Sequence, residues 1–70
     1  MDPEATAEAT IAAHPEEVAA WLARRPGAWG RLAGQAVLRE RERLGRRLTE
    51  PERRRVWTAL WAALERVSER

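Results

Sequence analysis

Seventy residues make one small domain, near the lower limit for folding without a disulfide or metal staple. The absence of cysteine excludes disulfides, zinc knuckles and thiol chemistry. Thirteen arginines, no lysine and eleven acids leave a net charge of +2 that hides a division: residues 1–23 hold Asp2, Glu4, Glu8, Glu16 and Glu17 with no arginine, whereas every arginine and six glutamates follow.

Such a split fits a basic body that seeks a polyanion, or an acidic segment folded over a basic one in the same or a neighbouring chain. Arginine without lysine suits bidentate recognition of phosphate or carboxylate. The abundant alanine beside it points first to the codon bias of a GC-rich bacterial genome. The longest apolar run, Val56 to Leu64, is broken by Thr58 and falls far short of the roughly 20 residues that span a bilayer. No basic stretch precedes an apolar core at the N-terminus, so no secretory signal and a cytoplasmic location are expected.

In chain order, Asp2-Pro3-Glu4 reads as an N-cap, a first-turn proline and a first-turn acid. Ala5 to Ala13 is alanine- and threonine-rich, with Ile11 its only large apolar side chain. It suits a frayed helix or a disordered arm, so residues 1–13 are set apart as a loosely ordered segment and residues 14–70 as the helical domain. His14-Pro15-Glu16-Glu17 opens a helix with two acids well placed against its dipole. That helix carries Val18, Trp21 and Leu22 and is expected to stop near Arg25. Pro26 disfavours the α conformation before it, and Gly27 completes the break.

The next helix is expected over 28–45. Trp29, Ala33, Ala36, Val37, Glu40 and Leu44 share one face, with Arg31, Gln35, Leu38 and Glu42 opposite. Glu42 and Arg46 form a favourable i, i+4 pair if the helix reaches that far, and Gly45 suits its end. The last helix, 49–68, has the plainest signal. Thr49-Glu50-Pro51-Glu52 is a capping box with proline in the first turn. Val56, Trp57, Leu60, Trp61, Leu64 and Val67 follow as one apolar stripe. The short link between the last two helices makes them antiparallel neighbours. The expected fold is all-α: a three-helix bundle made of the helical hairpin 28–68 and the packed helix 15–25.

Leu48-Thr49-Glu50-Pro51-Glu52-Arg53 resembles the opening of the first helix in some bacterial helix-turn-helix regulators. The likeness covers these six residues, and no turn and recognition helix follow them in the sequence.

Four tryptophans are difficult to bury in a chain of this size. They form either the core, in place of the absent Phe and Tyr, or in part an interface anchor or a stacking platform for bases. Ala59, Ala62 and Ala63 form a smooth patch on the back of the last helix, and Gly30 and Gly34 a flat strip on the one before. The interface candidates are therefore Trp29, Gly30, Gly34, Trp57, Ala59, Trp61, Ala62 and Ala63. Glu40 falls mid-way along an apolar face and needs a partner; Arg53 is the candidate. Arg39, Arg43, Arg46, Arg47, Arg53 and Arg54 gather at the hairpin turn and form the candidate nucleic-acid site. Interleaved glutamates weaken the field of that patch.

Catalysis has little to work with. His14, the one histidine, fits a helix start. No metal-ligand spacing, phosphate-cradling glycine loop or paired catalytic carboxylates are evident. The expectation is a protein that is not an enzyme and carries no cofactor or metal. It reads as a helical protein–protein interaction module, self-associating as a homo-oligomer or acting as an accessory subunit of a larger complex. DNA or RNA binding through the arginine-rich end of the hairpin is the alternative.

Overall fold

The computed structural model describes residues 2–69, in which local signals set most of the helix ends. The Asp2 Oδ1 accepts from the Ala5 N–H at 2.9 Å and starts α1, Pro3–Ala13. Only His14 separates it from α2, Pro15–Leu22. α3, Ala28–Leu44, lies between Gly27 and Gly45, both with positive φ (83° and 73°), the left-handed conformation that costs glycine least. α4, Glu50–Ser68, opens on the complete capping box: the Glu52 carboxylate accepts from the Thr49 N–H at 2.8 Å, and the Thr49 hydroxyl accepts in return from the Glu52 N–H.

The chain is all-α, with four helices and no strand among the described residues. The expected three-helix bundle with a loose N-terminal segment is therefore corrected. Residues 3–13 form a regular helix packed on α4 and α3. Its inward face is made of Thr6, Ala7 and Thr10, all fully buried. Small side chains let helix axes approach closely, so this segment joins the core with Ile11, half-buried, as its one large apolar side chain. Its hydroxyls are satisfied: Thr10 donates to the Thr6 carbonyl and Thr6 to Glu40, each at 2.8 Å.

α2 ends three residues before Arg25. The Arg24 N–H donates to the Trp21 carbonyl and the Arg25 N–H to that of Ala20, both at 2.9 Å, with Arg24 left-handed at φ 59°. This is the Schellman closure, with arginine in the position that glycine usually fills. Leu22, expected to pack inward, is 44% exposed.

The centre of the core is Leu32, Val56, Leu60 and Leu64, each at most 1% exposed. Burying each such side chain is worth about 1.5–3 kcal/mol. Relative to the expected stripe, the buried seam of α4 is rotated toward Ala63, and Trp61 turns outward. α1 packs on that side of the hairpin, where its Ala7 and the Ala63 of α4 belong to one buried cluster.

Candidate interaction groove

With α1 on one side of the hairpin, the other side has no helix over its middle. A hollow of about 370 Å³ runs there between α3 and α4, lined only by residues of those two helices: Trp29, Gly30, Ala33, Gly34 and Val37 on one, Arg53 and Trp57 on the other. At one end Trp29 also borders a second hollow, about 500 Å³, with Trp21, Leu22 and Trp61. At the other end Val37 and Arg53 border a third, about 250 Å³, with Arg41, Arg47 and Leu48. Each end hollow shares lining residues with the middle one, so the three follow one another along the hairpin as a segmented groove.

Trp61 organises one end. Its ring meets Trp21 edge-on (centroids 5.7 Å, planes at 89°) and Trp29 likewise (5.4 Å, 79°), arrangements worth about 0.5–1.5 kcal/mol each beyond area burial. Even so, Trp61 is 47% exposed, and the other three tryptophans are half-buried. A Cβ added at Gly30 or at Gly34 would meet nothing within 4 Å. The flat strip on α3 is thus required by no neighbour within the chain. Two donors beside the groove, the Trp57 indole N–H and the Arg53 Nε–H, are buried and meet no acceptor among the described residues.

Of the interface candidates, Trp29, Gly30, Gly34, Trp57 and Trp61 come together on this groove. Ala59, Ala62 and Ala63 do not. Ala63 is 2% exposed in the core. Ala59 and Ala62 line a separate hollow of about 520 Å³ beside the start of α1. Its rim sets Asp2 and Glu4 among Arg54, Arg55 and Arg66, and no aromatic side chain lines it. Of the alanine patch on α4, Ala63 is taken up by the core, while Ala59 and Ala62 stay half-buried beside α1.

The arginine patch is partly neutralised. Arg43 grips Glu40 through two bonds, at 2.8 and 2.9 Å. Arg46 grips Glu52 in the same way, both at 2.8 Å, and Arg53 pairs with Glu50. Of the six nucleic-acid candidates, Arg39, Arg47 and Arg54 keep no ion pair among the described residues. Glu40, 5% exposed, is held by Arg43 and by the Thr6 hydroxyl, not by Arg53 as expected. These bonds hold its carboxyl below the ordinary range, Arg43 contributing most and burial opposing it. Arg46 likewise lowers Glu52, helped by the Thr49 N–H. The expected Glu42–Arg46 pair is absent, because α3 ends at Leu44 and Arg46 turns to α4. Across the chain, Glu8 pairs with Arg66 and Glu17 with Arg31, so acids of the N-terminal third meet arginines of the rest.

Among the described residues, no helix is long and apolar enough to cross a membrane. No protein-family model matches the chain, and no match was found among curated proteins or solved structures.

Proposed function

We propose that this protein is a small helical protein–protein interaction module that receives a helix of another chain in the α3–α4 groove. The observation that carries this reading is the groove itself: four half-covered indoles and two open glycines on a side of the hairpin that the chain leaves bare. Grooves between paired helices take amphipathic helices through apolar anchors at i, i+3, i+4 and i+7. Aromatic side chains that become fully desolvated when a partner binds are among those that supply most of the energy at such surfaces. Nucleic-acid binding at the hairpin turn has less support, since half of its candidate arginines are engaged by Glu40, Glu50 and Glu52.

A photo-crosslinking amino acid in place of Gly34, in the cell that makes the protein, is expected to trap a protein partner. The same group in place of the exposed Glu16, away from the groove, is expected to trap none. Crosslinks at Gly34 to nucleic acid alone, or equal trapping at both positions, would refute the reading.

A further inference from the structure

We propose that the helix received by the groove is amphipathic and carries acidic residues at both ends of its apolar face. This rests on the reading of the groove as a helix-binding surface and adds the charge pattern of the partner.

The middle of the groove is apolar, and its ends are basic. Arg24 and Arg25 border the hollow around Trp61, while Arg41 and Arg47 border the hollow at the opposite end. None of these four has an ion pair among the described residues. Beside Arg47, the buried Arg53 Nε–H meets no acceptor among the described residues. The acids of residues 28–69 left without ion pairs among the described residues, Glu42, Glu65 and Glu69, line none of the three hollows.

Charge therefore selects the occupant. Two copies of this chain placed groove to groove would set arginines against arginines in either orientation, because both ends are basic. A helix with acids at each end meets a counter-charge at each end. The 17 residues of α3 span about 26 Å at 1.5 Å per residue, so the acids belong roughly four to five turns apart. Gly30 and Gly34 leave space where a side chain of the incoming helix can sit.

The test uses three amide-capped, tryptophan-free 18-residue peptides with the same leucine face and with Glu, Gln or Lys in the first and last turns. Binding is followed by the protein's tryptophan emission at low and high salt. The Glu peptide is expected to bind at least 10-fold more tightly than the Lys peptide at low salt, with the ratio shrinking at high salt. Joint replacement Arg24→Gln, Arg25→Gln, Arg41→Gln and Arg47→Gln, all exposed and without ion pairs among the described residues, is expected to bring the Glu and Lys peptides to equal affinity. Gly34→Gln is expected to weaken all three peptides. Equal binding of the three peptides overturns the acidic-partner proposal and leaves the groove reading standing; binding of none overturns both. Two further outcomes overturn the proposal: an emission change with an oligothymidylate or with anionic phosphatidylserine vesicles but not with the Glu peptide, or a sedimenting dimer that Gly34→Gln dissociates.

Discussion

Glu40 ties α1 to α3, because its carboxylate accepts from Thr6 in α1 and from Arg43 one turn ahead in α3. Glu40→Ala would leave the wholly buried Thr6 hydroxyl without its acceptor, a loss of about 1–3 kcal/mol, read as a lower urea midpoint. The pH dependence follows from the direction of its shift. The folded carboxyl titrates below its ordinary value of 4.5, so the unfolded chain takes up the proton first as pH falls. The contribution of Glu40 is complete above that value and declines below it. Glu40→Gln is therefore expected to be less stable than the parent at pH 7, with the gap narrowing toward pH 3; a gap independent of pH would refute this. The sequence makes the need for a partner plain, since a carboxylate sits among Val37 and Leu44. It hides which partner: Arg43 lies outside the apolar face, and the Thr6 hydroxyl belongs to a segment with no apolar periodicity.

Among the helices, those with strong local signals are legible from the residues alone. The capping box fixes the start of α4, and Gly45 the end of α3. α1 is not legible as a packed helix, because its buried face is threonine and alanine and carries almost no amphipathic pattern. Missing it shifts everything downstream. Without α1 the α4 stripe centres between Leu60 and Trp61; with it, Ala63 turns inward and Trp61 outward. The groove was half-visible for the same reason. Its tryptophans and glycines stand out in the sequence, but so does the alanine patch, and nothing in the residues alone shows that Ala63 belongs to the core. Gly30 and Gly34 give this scale its prediction. Both lie within α3 with open space at the Cβ position, so alanine at each is expected to raise stability by about 0.5–1 kcal/mol. Thermal unfolding of the two single variants and their combination measures it; a lower melting temperature would show that some contact needs the bare backbone.

For the molecule as a whole, α1 is part of the core and not an appendage. Fully buried residues from α1, α3 and α4 form one cluster, which α2 joins through Val18. A 70-residue domain has little stability to spare. Deleting residues 1–13 uncovers the Ala63 side of α4 and removes Thr6 from Glu40. The shortened chain is expected to lose its cooperative thermal transition while keeping partial helicity by circular dichroism. A sharp transition in that variant would mean that the hairpin and α2 hold a core by themselves.

The ion pair between Glu8 and Arg66 also bears on how the protein is made. The first helix rests on the last, so during synthesis α1 must wait for some fifty further residues before its seat exists. At roughly 5–20 residues per second that delay is about 3–10 s. Through that interval a helix too short and too weakly amphipathic to persist alone remains without the surface that orders it.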